Sequence, residues 1–462
     1  MGKKTFRMPT AYTILFLLII LVAVATWFIP AGSYDYADGV PVAGSYHATE
    51  PNPQGVGAVL TAAFHGFFDA VDVCVFILMV GGFLGIVMKT GAVDAGVGAV
   101  IAKLGGREKW LIPILMLFFG FGGTTFGMWE ETMAFYPLLL PVFLAAGYDA
   151  VVGISVILLG AGAGIIASTV NPFATGIAAG FAGVSLGEGI LLRIVQWVVF
   201  ESAAIWFVMS YAAKVKKNPS RSVVGVGAGK LHVSMEEKIE FTGKRKLIMA
   251  VFAAVFAVMI YGVIPFDELG SPLPAFGWWF PELSALFLVG GVLVGLIDRM
   301  RESEIAETFV AGCADMLGVS LIIGISRGIT VLMNEGGITD TILHWGEQAL
   351  SGAGPVAFVL LVYLIYLPLT FLIPSSSGLA TLSIPVIAPL GRFAGVGGDL
   401  VVTAFQSASG LINIITPTAA VVMGALALGH VPYDRWLKYV WKLILYFLLL
   451  TAVFLTVGAL LA

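Results

Sequence analysis

Apolar residues in this chain come in long runs, and the polar positions gather at a few places between them. After Met1-Gly2-Lys3-Lys4-Thr5-Phe6-Arg7, an apolar run extends from about Pro9 to Pro30. That is long enough to cross a bilayer, longer than the core of a typical signal peptide, and followed by no clear cleavage site. It reads as a first spanning helix, with a cleaved signal as the alternative. Similar runs recur to Ala462. They predict an all-α polytopic membrane protein of about 9–11 transmembrane helices plus two re-entrant hairpins.

The hairpins are expected where short apolar arms flank a polar tip. Trp110–Phe121 is apolar, Gly122-Gly123-Thr124-Thr125-Phe126-Gly127-Met128-Trp129-Glu130-Glu131 is the tip, and a second arm runs to Ala146. Pro374-Ser375-Ser376-Ser377-Gly378 is the counterpart in the second half. Two further sites interrupt runs of spanning length. Ser168-Thr169-Val170-Asn171-Pro172-Phe173 sits inside Ala150–Val184, and Asn413-Ile414-Ile415-Thr416-Pro417-Thr418 is its partner. Proline removes a backbone donor there and breaks the helix, freeing N–H groups on one side and carbonyls on the other. Free N–H groups suit a carboxylate; carbonyls and hydroxyls suit Na⁺ or a proton-linked group. Simple kinking and capping is the blander alternative. Thr124, Thr125, Asn171, Ser375, Ser376, Ser377, Asn413, Thr416 and Thr418 are therefore candidate solute contacts. Ser168, Thr169, Asn171 and Asn413 are candidate ion contacts.

The two halves match each other. At an offset of 246 residues, Gly66, Asp69, Val73, Ile77, Gly82, Gly91 and Asp94 fall on Gly312, Asp315, Val319, Ile323, Gly328, Gly337 and Asp340. Small drifts in offset then bring Pro137 and Pro141 onto Pro385 and Pro389, Asp149 onto Asp399, and Pro172 onto Pro417. Basic residues mark the cytoplasmic side. They cluster at Lys3–Arg7, Lys89–Lys109 (with Lys103 and Arg107), Lys214–Lys246, Arg299–Arg301 and Arg435–Lys442; residues 32–57, 266–281 (with Asp267 and Glu268) and 335–355 carry no Lys or Arg. This places the N-terminus inside and the C-terminus outside. The first copy then begins outside and the second inside, so the copies are inverted, as in secondary transporters. Chance similarity among apolar helices is the competing explanation.

The expected organisation is 1–65, an N-terminal helix and outer loop; 66–213, repeat 1; 214–246, a cytoplasmic linker; 247–311, linking scaffold helices; and 312–462, repeat 2. An interfacial helix around Ser234–Glu240 is an alternative form of the linker.

Composition narrows the classes. Only 11% of the 462 residues are charged, the mean hydropathy is +0.99 and the net charge is −4, which excludes a soluble domain and a nucleic-acid binder. Cys74 and Cys313 lie in apolar runs, and His47, His65, His232, His344 and His430 are scattered, so no metal or cofactor is expected. Polar residues sit at breaks and not along one helix face, against a channel. Ser375–Ser377 has no histidine nearby in sequence, against an enzyme.

Ionisable residues at membrane depth default to function. Glu130 and Glu131 repel each other, so at least one is expected to keep its proton or meet a cation, such as an amine or guanidinium. One of them can instead cap the following helix. Arg327 either holds a substrate carboxylate or pairs with Asp69, Asp72 or Asp315. Asp149 and Asp399 are expected near the surface with no site role.

Gly127-Met128-Trp129-Glu130-Glu131-Thr132-Met133-Ala134-Phe135-Tyr136-Pro137, Asn171-Pro172-Phe173, Ile373–Ala380 and Ala404-Phe405-Gln406 through Thr416-Pro417-Thr418 together resemble the YfcC-type branch of the DcuC-like family, in the ion-transporter superfamily. The resemblance covers nearly the whole chain. It implies a dimeric elevator carrier, in which a scaffold domain holds the dimer and a transport domain with two hairpins moves the solute. Related divalent-anion carriers bind Na⁺ and carboxylate with Ser-Asn-Thr motifs at these tips. The first hairpin departs from that pattern, with Glu130 and Glu131 in place of such a set. The family label names C4-dicarboxylates, while some relatives are viewed as basic amino-acid antiporters. Two carboxyls beside a solute suit a cation or zwitterion better than a dianion. The expectation is an elevator carrier of basic amino acids (arginine, ornithine or lysine) in the bacterial inner membrane, working by exchange or by H⁺ or Na⁺ coupling. A coupled C4-dicarboxylate carrier is the alternative. Its expected partners are a small solute, the lipid bilayer and a second copy of itself.

Overall fold

The computed structural model describes residues 11–461 apart from 38–39, 43, 94, 97–98, 100–106, 126, 186, 226–239, 264–265, 267–271, 279 and 351. The expectations for Lys3, Lys4, Arg7, Asp94, Lys103, Asp267, Glu268 and nearly all of the Ser234–Glu240 alternative lie outside the described residues.

The first half comprises α1 (Ala11–Ala25), α2 (Val56–Asp69), α3 (Val71–Lys89), α4 (Leu111–Thr125), α5 (Tyr136–Ala145), α6 (Ala150–Ile166), α7 (Ile177–Ala182) and α8 (Ile190–Lys217). Helices α9 (Gly243–Val263) and α10 (Phe280–Asp298) follow. The second half comprises α11 (Glu302–Glu335), α12 (Thr339–Leu350), α13 (Pro355–Leu372), α14 (Ser376–Phe393), α15 (Gly398–Asn413), α16 (Ala420–Leu428) and α17 (Tyr433–Leu461). Among the described residues, five helices (α3, α8, α10, α13 and α17) are each long and apolar enough to cross a membrane, and the bent α11 makes a sixth if its halves count as one span. That is fewer than the runs suggest, because several runs fold as shorter helices joined at breaks.

Close approach of small residues holds these helices together, as expected where lipid removes the hydrophobic drive between them. All of α6 is buried. A Cβ on Gly164 would strike the Gly120 carbonyl, and one on Gly123 the Ala161 carbonyl, so α4 lies directly on α6. Helices α2 and α3 cross α11 antiparallel in the same way. Gly66 abuts the backbone of Gly324 and Gly328, and Gly312 abuts that of Gly81 and Gly82. At the centre, the Cys74 thiol points at the Ser320 carbonyl, 3.5 Å away and 246 residues on. Left-handed backbone also recurs in step, at Gly91 and Gly337, Gly147 and Gly395, and Gly183 and His430.

The loop after α1 forms two short antiparallel ladders, Gly32–Ser33 with His47–Ala48 and Tyr36–Ala37 with Val40–Pro41. It docks on α12: the Tyr34 amide (3.1 Å) and the Tyr36 hydroxyl (2.9 Å) donate to Asp340, and the Tyr34 hydroxyl donates to Glu347 (2.8 Å). Asp149 is buried among protein groups and lies off the wall of the cavity described below. It caps α6 through the Val152 amide (3.0 Å) and accepts from the Tyr211 and Ser222 hydroxyls, each at 2.6 Å. Those bonds fasten the segment after α8 to the start of α6.

Candidate functional site

Several interruptions of regular helix face one cavity of about 260 Å³. Sites for drug-sized molecules run from roughly 300 to 1,000 Å³, and this cavity lies just below that range, which limits it to a small solute. Its wall draws on the α2–α3 joint (Asp69, Asp72), the tip after α4 (Gly127, Trp129, Glu130, Glu131), the break after α6 (Asn171) and the middle of α11 (Ser326, Arg327). The start of α14 with its cap (Ser375–Ser377), the last residue of α15 (Asn413) and the break beyond it (Thr418) complete it. Of the sequence candidates, Glu130, Glu131, Asn171, Arg327, Ser375, Ser376, Ser377, Asn413 and Thr418 are thus brought together.

Each is held by local chemistry. Gly127 adopts φ +75°, and the Asn171 amide packs where its Cβ would be. Only glycine meets both demands. Past it, residues Glu130–Phe135 form a short tight turn that leads into α5. Glu131 is buried, and its carboxylate accepts from the Trp129 amide at 3.1 Å, at the start of this turn. Glu130 is only part-buried. Ser375 caps α14 by accepting from the Gly378 amide at 3.2 Å, which turns the N-terminus of that helix toward the cavity. The start of α16, Ala419–Val421, also lines the wall. Both N-termini favour negative charge. Asn413 is buried, and its Oδ1 has no hydrogen-bond partner among the described residues.

Arg327 lines the cavity and pairs with Asp69, Nε to Oδ2 at 3.1 Å. Of the alternatives open in the sequence, it takes this internal pair while staying on the wall. Asp72 shares the wall without a direct ion pair to it, and Asp315 is not part of it. The wall therefore carries four carboxyls and one guanidinium.

Five candidates stand elsewhere. Thr124 donates to the Ala167 carbonyl (2.9 Å) and accepts from the Thr169 amide (3.1 Å), while the Thr169 hydroxyl donates to the Thr124 carbonyl (3.0 Å). Ser168 bonds to Thr175 (2.7 Å), and Gln406 donates to the Ser168 carbonyl (2.8 Å). Thr416 bonds to Thr418 (2.7 Å), and Thr125 donates to the Phe121 carbonyl of its own helix (2.6 Å). Thr124, Ser168 and Thr169 brace the broken backbone, which has no water to turn to at membrane depth. The sequence reading missed Asp69 and Asp72 as wall residues. An acid in an apolar run was the available signal, the same one that picks out Glu130.

A family model described as "DcuC: C4-dicarboxylate anaerobic carrier" matches residues 8–460. A protein of Haemophilus influenzae (strain ATCC 51907 / DSM 11121 / KW20 / Rd), named only as uncharacterized, is 34% identical over 98% of this chain and 97% of its own. The Escherichia coli (strain K12) protein named "Putative basic amino acid antiporter YfcC" is 32% identical over 94% and 93%. Among solved structures, the Alcanivorax borkumensis YdaH transporter aligns over 97% of this chain and 99% of its own, at 15% identity and a TM-score of 0.46.

Proposed function

Because the chain belongs to the DcuC family of membrane carriers, we propose that it is a secondary transporter that exchanges basic amino acids, of the arginine, ornithine and lysine class, across the bacterial cytoplasmic membrane. The observation that carries this reading is the charge of the cavity. Asp69, Asp72, Glu130 and Glu131 face it with Arg327 as the one basic side chain among its lining residues. A dianion would add two negative charges to that wall. A solute with a cationic side chain and an α-ammonium relieves it, and its single carboxylate has the helix N-termini at Ser375–Ser377 and Ala419–Val421 to meet. Trp129 and Phe280 on the wall suit the same cation. The name of the E. coli relative agrees with this reading.

Two inverted repeats underlie the site in this proposal. The antiparallel Gly66–Gly328 and Gly82–Gly312 crossings and the paired left-handed positions at near-constant offset support them. The same reading takes 122–131 and 373–380 as re-entrant tips, the N-terminus as inside and the C-terminus as outside. It takes the carrier as a homodimer working by an elevator stroke, coupled by exchange or by H⁺ or Na⁺. The C4-dicarboxylate of the family description is the second reading, favoured by the two helix N-termini. Equilibrium binding to the purified protein separates them. Labelled arginine should bind and be displaced by ornithine and lysine but not by succinate; binding of succinate alone would reverse the assignment.

A further inference from the structure

One buried carboxyl has no place in the solute cavity. Glu201 of α8 is 2% exposed, and neither of its carboxyl oxygens has a hydrogen-bond partner among the described residues. Its Oε2 occupies the space a Cβ on Gly120 would need, so the carboxyl lies flat on the backbone of α4. Helices α4, α6 and α17 pack against α8. Neither α4 nor α6 contains a titratable side chain. At this level α17 presents Phe447 and Phe454 to Phe200, with ring centroids at 4.6 and 6.2 Å. The nearest basic residue on α8 itself is Arg193, more than two turns earlier.

Among the described residues, no countercharge therefore faces Glu201. A carboxylate sealed in this place would lose its hydration with nothing in return. The neutral acid fits the packing. The ionised form requires water, and the face of the carboxyl that lies on Gly120 gains it when α4 draws away from α8. Helix α4 leads directly into the tip that carries Glu130 and Glu131.

We propose that Glu201 is a proton-binding site of the carrier, separate from the solute cavity, and that its protonation is coupled to the seating of α4 on α8. Protonation closes the contact, and release of the proton to water opens it. By linkage, any solute that prefers one position of the tip shifts the affinity for this proton, and the proton shifts the affinity for the solute equally. The inference goes beyond the solute assignment and does not depend on which solute is carried.

The test uses the full chain in lipid nanodiscs, in a Cys74→Ala/Cys313→Ala background, with spin labels on Leu117→Cys and Val198→Cys. These positions are exposed on α4 and α8. As pH rises, the 117–198 distance should lengthen. The part of the infrared C=O stretch of neutral carboxylic acid that the Glu201→Gln variant lacks should vanish in step. Glu201→Gln keeps the size of the side chain but cannot ionise; it should lack that band and hold the short distance at every pH. Should Glu201→Gln fold poorly, Glu201→Ala combined with Gly120→Ala, which fills the vacated space, should show the same fixed short distance. The proposal is overturned by a carboxyl band that is identical with and without Glu201, by one that persists unchanged across the pH range, or by a native distance that ignores pH. Solute uptake is not read, so failure of the amino-acid assignment would change neither the band nor the distance.

Discussion

Glu130 and Glu131 are neighbours with different duties. Glu131 is tied to the Trp129 amide and helps build the tip, whereas Glu130 is less buried on the same wall. Glu130→Gln should therefore weaken arginine binding by about 10-fold or more, the scale of one charge-assisted hydrogen bond, with little change in unfolding temperature. Glu131→Gln should lower both binding and unfolding temperature. Titration calorimetry and a melt on each purified variant check this; equal melts for the two would remove the distinction. Gly127→Ala places a methyl on the Asn171 amide and forces a positive φ on alanine. It should lower stability by more than about 1 kcal/mol and disturb binding as well. Gly147→Ala is the comparison: its φ is also positive, but nothing lies within 4 Å of the added carbon. It should show the strain in a melt and leave binding intact.

Between residues and the whole, the breaks decide what each polar side chain is for. Helix α6 stops at Ile166 and α15 at Asn413, and each opens backbone groups that must be met from inside the protein. Thr124 meets one set. Thr124→Val leaves the Ala167 carbonyl without its hydroxyl donor, while the Thr169 amide keeps the Thr124 carbonyl, and should cost about 1–3 kcal/mol. Thr125→Val, one position on, loses only a bond within its own helix and should change stability by no more than about 0.5 kcal/mol. Thermal unfolding in one detergent compares the pair; similar losses would mean the brace is not what matters. The sequence pointed to the breaks because Pro172, Pro417 and the clustered hydroxyls stand out in apolar runs. It did not separate hydroxyls that face the cavity from those that brace the chain. That division depends on which neighbouring helix reaches the break: Thr124 bonds across 43 residues and Gln406 across 238. The Asp69–Arg327 pair was one of three partners the sequence left open, because only the α2–α11 crossing selects among Asp69, Asp72 and Asp315.

At the scale of the molecule, the two halves meet where α2 and α3 cross α11 with backbones nearly touching at glycines. The matched glycines were legible as an offset of 246 residues; their role as the contact itself was not, since glycine is common throughout the chain. Gly66→Leu or Gly312→Leu should abolish the folded peak in size-exclusion chromatography. Gly57→Leu on the same α2 has open space around it and should elute like the native protein. If Gly66→Leu eluted normally, the crossing would not be what joins the halves.

The central claim is that four carboxyls around one guanidinium make this family member a carrier of cationic amino acids. Counterflow in proteoliposomes tests it most directly. Vesicles loaded with unlabelled ornithine should accumulate labelled arginine above the level of empty vesicles, while vesicles loaded with malate should not accumulate labelled succinate. Accumulation of succinate without arginine would contradict the claim and assign recognition to Arg327 and the helix N-termini at Ser375 and Ala419.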